Sequence, residues 1–180
     1  TSPYTPMLFM GEEFDASTPW QYFTDHSEEW LAESIREGRQ AEFAEHGWSG
    51  EVPDPQDPGT VETSTLEWAE LDQPQHAAML SWYRTLIALR RRLPDVREAV
   101  LGEGAVARDG DLLLVRRGEL NVVANLGDEP GRLPVALDAE VLAGFGEVRL
   151  DDAEVLLGPG SVGLLLAPPP TGVIPVIADA

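Results

Sequence analysis

Four large apolar residues in succession, Met7-Leu8-Phe9-Met10, stand between Pro6 and Gly11, and Glu12, Glu13 and Phe14 follow. Side chains alternate along a strand, so an unbroken apolar run suits a strand covered on both faces, as in a parallel sheet. It predicts a buried parallel strand. Gly11 then lets the chain leave the sheet in a conformation that a side chain would obstruct. From Ser27 to Phe43 the spacing is helical, with Leu31 and Ile35 on one side, Ser27 as cap and Gly38 as a point of irregularity or bending. Arg36 and Arg39 share a face and read as ion-pair partners for neighbouring acids.

Glu45 to Leu71 is an open stretch, because the prolines of Val52-Pro53-Asp54-Pro55-Gln56-Asp57-Pro58 lack donors and restrict the residues before them. Trp48, Leu66 and Trp68 are placed to pin it down. The clearest helix begins at Asp72-Gln73-Pro74-Gln75, where Asp72 can cap, Gln75 can answer it and Pro74 sits in the first turn. Met79, Trp82, Tyr83, Leu86 and Leu89 recur at helical spacing, Arg90-Arg91-Arg92 suits the C-terminal dipole, and Pro94 stops the helix. Beyond it the pattern shortens to β-like runs divided by glycine turns. These are Ala105–Arg108, Leu112–Arg117, Leu120–Leu126, Arg132–Ala136, Val141–Ala143, Glu147–Leu150, Glu154–Leu157 and Ser161–Leu166. They predict an antiparallel sandwich with its own core. From Pro168 the proline-rich tail is expected to be extended.

Composition narrows the chemistry. A formal charge of −20 repels nucleic acid and anionic lipid over most of the surface, leaves neutral ligands such as sugars open, and also serves simply as a solvated surface. With no cysteine there are no disulfides, zinc thiolates or thiol nucleophiles, which fits a reducing compartment; a cytoplasmic location is expected. His26, His46 and His76 are too scattered for a metal constellation, and neither a metal nor a cofactor is expected. No apolar run approaches the roughly 20 residues of a membrane span. The opening Thr1-Ser2-Pro3-Tyr4 suggests a cut piece, in which any signal peptide of a parent chain would be invisible.

Between Phe14 and His26, the rings Phe14, Trp20, Tyr22 and Phe23 alternate with Asp15, Ser17, Thr18, Gln21, Thr24 and Asp25. Flat rings interleaved with hydrogen-bonding groups suit sugars, whose C–H faces stack while their hydroxyls need polar partners. Trp20 and Tyr22 packing the loop down is the plainer alternative. Glu12 and Glu13, just past a buried strand, stand where α/β enzymes place ligand-facing groups; equally, Glu13 can hold the loop through backbone amides or an arginine.

Pro6, Gly11 and Glu13 resemble the eighth-strand segment of the α-amylase-family (β/α)8 glycoside hydrolases. Met10-Gly11-Glu12-Glu13-Phe14, Ser17-Thr18-Pro19, Tyr22-Phe23-Thr24-Asp25-His26, Arg36-Glu37-Gly38-Arg39, Glu42-Phe43, Gly47-Trp48 and the Val52–Pro58 stretch, in this order, resemble the maltooligosyltrehalose trehalohydrolase group of that family. The likeness is specific over about the first 95 residues, with Asp15 where a small residue is expected. It implies retaining hydrolysis of the α-1,4 bond next to the terminal trehalose unit of a maltooligosaccharide-type substrate. It also implies an Asp nucleophile, a Glu acid/base and a second Asp on earlier barrel strands, the missing N-terminal part of the same chain, whose motifs do not occur here. Residues 1–98 are then the end of a (β/α)8 barrel with a long loop, 99–168 a β-sandwich and 169–180 a tail. No catalytic residue is expected in this stretch; Glu12, Glu13, Phe14, Trp20, Tyr22, Asp25 and His26 are the candidates for shaping the sugar site. A glycogen branching or debranching relative would share Pro6, Gly11 and Glu13 but should lack the proline stretch. A carbohydrate-binding or structural sandwich module should expose aromatics, yet Phe145 is the only aromatic after residue 94.

Overall fold

Each of the apolar runs beyond Pro94 forms a strand, giving β1 (Ala105–Asp109), β2 (Leu112–Arg117), β3 (Leu120–Asn125), β4 (Gly131–Pro134), β5 (Glu140–Phe145), β6 (Val148–Asp151), β7 (Glu154–Leu157) and β8 (Val162–Leu166). The structure is a computed structural model that describes residues 2–48, 50, 52–98 and 100–168. All ladders are antiparallel, in a five-stranded sheet ordered β1-β2-β3-β8-β5 and a three-stranded sheet ordered β4-β7-β6. Strand β5 carries an irregularity between Val141 and Ala143. Period-two alternation puts Leu114, Val123 and Leu165 of the large sheet against Leu133, Val155 and Leu157 of the small one. This is the sandwich core. Each such burial contributes about 1.5–3 kcal/mol, so this layer supplies the main driving force for closing the two sheets.

The other face of the large sheet is covered by helix. Leu120 and Leu164 pack with Leu89 and Val96, flanked by Trp82 and Leu86. These belong to α3 (Pro74–Arg92) and α4 (Pro94–Arg97). The chain forms two compact units, Leu8–Leu80 and Thr1–Met7 with Ser81–Ala180. The limit between them falls within α3, whose second half packs on the large sheet. Within that unit Arg90 donates to the carbonyls of Ser2 and Tyr4, both at 2.9 Å. Phe145 lies 5.8 Å from Trp82, so the lone aromatic of the sandwich is engaged by the helix.

In the unit Leu8–Leu80, a 3-10 turn at Glu12–Phe14 precedes α1 (Glu29–Glu45) and α2 (Pro58–Thr63), and a second, Trp68–Asp72, follows them. Four expectations need correction. The buried parallel strand at Pro6–Met10 does not form: residues 5–9 have no regular structure and Met7, Leu8, Phe9 and Met10 are exposed. A strand needs neighbouring strands for its backbone groups, and among the described residues no strand pairs with this run. Ser27 does not cap α1; the N-cap is Glu28, and the Ser27 hydroxyl donates to the Glu28 carboxylate. Gly38 does not interrupt α1, because about 1 kcal/mol is too little to break a 17-residue helix. The proline stretch is not helix-free to its end. Pro58 occupies the first helical position, where no donor is needed, and Asp57 accepts the Gly59 N–H at 2.7 Å.

Helix α3 opens at Pro74, which moves its N-cap from Asp72 to Gln73: the residue before a proline is held extended, and Gln73 has ψ 138. Among the described residues no helix is long and apolar enough to cross a membrane. The tail expected over 169–180 lies outside the described residues.

Candidate functional site

The loop from Gly11 to His26 is held by polar groups far away in sequence, and its rings are left outward. Gly11, at φ 86, starts the turn that carries Glu12 and Glu13; its carbonyl accepts from the amides of Phe14 (3.2 Å) and Ala16 (3.0 Å). Glu12 rather than Glu13 takes a backbone amide, that of Phe9 at 3.0 Å, while Glu13 is half-buried in the same turn. Phe14 departs from its expected role. It is 1% exposed, 5.7 Å from Trp68 and 6.4 Å from the His76 ring, so it anchors the turn in the core and cannot meet a sugar.

Beneath the turn lies a buried polar group. Glu70 accepts from the Ser17 N–H at 3.1 Å and from the Ser17 hydroxyl, and His76 Nδ1 donates to the Phe14 carbonyl at 2.8 Å. The Ser17 hydroxyl, then the Ser17 amide, and then the charge of His76 hold the Glu70 carboxyl below the usual carboxylate range, against the opposing effect of burial. A group whose pKa is lowered by folding stabilises the fold above its unfolded value of about 4.3 and loses that contribution as pH falls through its folded value. Glu70→Gln is therefore expected to lower the melting temperature at pH 7, with the difference from the parent chain shrinking below about pH 4. Melting curves from pH 3 to 7 check this. A difference that stays constant with pH would show that the carboxylate charge at Glu70 is immaterial.

Further along, the Ser64 hydroxyl accepts the Gln21 N–H at 3.0 Å, and the Thr24 N–H donates to the Pro55 carbonyl at 2.7 Å. Gln56 clamps the end of the loop: its Oε1 accepts from Thr24 Oγ1 (2.7 Å) and the His26 N–H (3.2 Å), and its Nε2 donates to the His26 carbonyl (3.1 Å). With the backbone satisfied this way, Trp20, Tyr22 and Phe23 remain exposed at 52%, 36% and 40%. Trp20 stands edge-on to Phe9 at 5.4 Å. Tyr22 lies under the Arg39 guanidinium at 5.0 Å, which also covers Phe43 at 4.9 Å and bonds Glu42 at 2.6 Å. Asp25 is exposed and His26 half-buried. Trp20, Tyr22 and Phe23 thus form an aromatic surface on a polar-anchored loop, and none of the candidates lines the cleft between α1 and α2.

The pattern of the sequence does not disclose the contacts that build this surface: Ser17 on Glu70, His76 on the Phe14 carbonyl, Gln56 on Thr24 and His26, and Arg39 over the Tyr22 ring. Arg39 does fulfil its expected ion pairing, with Glu42 at 2.6 Å. Arg36 does act as an ion-pair partner, bonding Asp54 at 2.8 Å and Glu33. Among the described residues no three His, Asp or Glu converge as a metal site would require.

Comparison with known proteins covers nearly the whole chain. A family model described as a domain of unknown function, DUF3459, matches residues 96–174. The chain is 45% identical over 168 residues to the malto-oligosyltrehalose trehalohydrolase of Rhizobium sp. (strain M-11), covering 92% of this chain and 28% of that protein. It is 42% identical over 172 residues to that of Mycobacterium tuberculosis (strain ATCC 25618 / H37Rv), covering 94% of this chain and 29% of that protein. Among solved structures, a "Putative alpha Amylase" from Salmonella typhimurium matches with TM-score 0.74 and 31% identity over 92% of this chain and 28% of that one. The chain spans less than a third of the length of the curated relatives it matches.

Proposed function

We infer that this chain is the C-terminal portion of a malto-oligosyltrehalose trehalohydrolase, an α-amylase-family glycoside hydrolase. The observation that carries the reading is sequence identity above 40% sustained over nine-tenths of the chain with proteins of that one name. The whole enzyme cleaves the α-1,4 glucosidic bond next to the terminal trehalose unit of maltooligosyltrehalose and releases trehalose. In a retaining hydrolysis one carboxylate attacks the anomeric carbon while a second protonates the departing oxygen and then activates water, which requires the pair about 5–5.5 Å apart across the bond.

Those carboxylates belong to the part of the enzyme that precedes this stretch. In the whole protein Met7–Met10 is the last strand of the (β/α)8 barrel, and its exposed side chains are then buried on both faces. Glu12 and Glu13 follow at the strand's C-terminal end, where such barrels carry their sites, with Trp20, Tyr22, Asp25 and His26 shaping the rim. The rings offer flat apolar faces to sugar C–H groups, and Asp25 and His26 offer partners for hydroxyls. A cytoplasmic enzyme fits the cysteine-free composition.

The test is trehalose release from maltooligosyltrehalose by this chain and by the chain extended upstream through the barrel. Only the extended chain is expected to turn over. Release by the 180 residues alone would put the catalytic carboxylates among them and overturn the assignment.

A further inference from the structure

In the unit Leu8–Leu80, a cleft of about 970 Å³ opens between α1 and the stretch that runs from Trp48 through α2. It meets the aromatic loop only at Gln21. Its size is at the upper end of small-molecule sites, suited to a chain of several rings rather than one. Its charged groups are already engaged within the protein: Arg36 is paired with Asp54 and Glu33, and the Asp57 carboxylate, which keeps its charge, caps α2 through the Gly59 amide. The hydroxyls of Thr60 and Thr63 donate to the carbonyls of Asp54 and Gly59.

What is left unengaged is neutral. Gln21 and Gln40 both line the cleft, and their side-chain amides have no hydrogen-bond partner among the described residues. Each can donate and accept, which matches vicinal hydroxyls and neither a cation nor an anion. Beside them stands Trp48, 59% exposed, with its ring edge-on to Phe43 at 6.3 Å. The indole lies so close to Gly50 that a Cβ there would fall 2.7 Å from its Nε1, so a side chain at residue 50 would push the ring aside. A supported, exposed indole in the same cleft as two unengaged amides offers both halves of sugar recognition.

We propose that this cleft is an accessory binding site for a neutral α-glucan chain, with Trp48 as its stacking platform and Gln21 and Gln40 as its hydroxyl-binding groups. The place of the site follows from the cleft itself; the glucan identity of its ligand rests on the trehalohydrolase reading above.

Calorimetric titration of maltoheptaose into the upstream-extended chain tests it. Two binding sites are expected in the parent protein. Trp48→Ala and Gln40→Ala should each weaken one of them by about tenfold or more while the other keeps its affinity, the usual scale for losing a central aromatic or hydrogen-bonding contact. Gln40 is an exposed helix residue, so its variant reports binding without disturbing the fold. A single site in the parent protein, or two sites unchanged in both variants, overturns the proposal. Trehalose release by the same preparations separates the two ideas: two-site maltoheptaose binding without trehalose release would remove the trehalohydrolase reading and leave the glucan cleft standing.

Discussion

Replacing Gly11 with valine is expected to destabilise the unit Leu8–Leu80 by about 2–5 kcal/mol. Two costs add. The backbone at Gly11 is left-handed, with φ 86, a conformation that costs a residue bearing a side chain about 1–2 kcal/mol and a β-branched one more. A Cβ there would also lie 2.8 Å from both Ala16 Cβ and Leu66 Cδ2, so the packing must open, at about 1–3 kcal/mol. Both costs fall on the turn that carries Glu12 and Glu13. Because the Gly11 carbonyl accepts from Phe14 and Ala16, hydrogen exchange at those two amides reports the change directly. Exchange should accelerate markedly in Gly11→Val and less in Gly11→Ala, while the sandwich amides of β3 and β8 keep their protection. Unchanged exchange at Phe14 would mean that the turn tolerates a side chain and that its geometry is not set by Gly11.

Asn125→Leu is expected to cost the sandwich about 3–5 kcal/mol, although it places an apolar residue in an apolar core. Asn125 is 2% exposed at the end of β3, and its Nδ2 donates to the carbonyls of Glu129 (2.7 Å), Leu157 (3.2 Å) and Gly158 (3.1 Å). Its Oδ1 accepts the Gly127 N–H at 3.0 Å. One side chain therefore joins the end of β3 to the end of β7 in the opposite sheet. Leucine is of similar size but leaves buried backbone groups without a partner, at about 1–3 kcal/mol each. Urea unfolding followed by far-UV dichroism should show a midpoint well below that of the parent chain. A midpoint within a few tenths molar of the parent's would show that water or Ser161, whose hydroxyl also donates to Gly158, takes over the lost bonds.

The contrast between these two sites explains what could be read from the sequence. The Gly11 conformation was legible, since a glycine between an apolar run and a charged pair has a local reason to be there. The strands of the sandwich were legible for the same kind of reason. Gly110, Gly118 and Gly160 mark turns at positive φ, and the runs between the turns are short and rich in Val and Leu. Asn125 was not, because its partners lie at Glu129 and across the fold at Leu157 and Gly158, and a polar residue in a strand looks like an exposed one. Ser17 and Glu70, 53 residues apart, were hidden likewise.

The errors have physical causes too. Met7–Met10 carries the right side chains for a buried strand, but a strand is a relation between segments, and among the described residues no strand pairs with it. Composition groups Phe14 with the ligand-facing rings, yet an aromatic just after a tight turn is the residue best placed to fill the core beneath it. Trp20 and Tyr22 differ because polar side chains, not their own burial, hold their backbone down.

The place of β8 in the large sheet sets a timetable. It pairs with β3 on one side and β5 on the other, and among the described residues β5 pairs with no other strand. As the protein is synthesised, the meander β1-β2-β3 can assemble early from contacts close in sequence, but its open edge at β3 and the lone β5 must wait until Val162–Leu166 have left the ribosome. Until then both are unpaired strands facing the crowded interior of a cell, so the interval before the last strand arrives is when the nascent sandwich is most exposed to chaperones and to wrong partners.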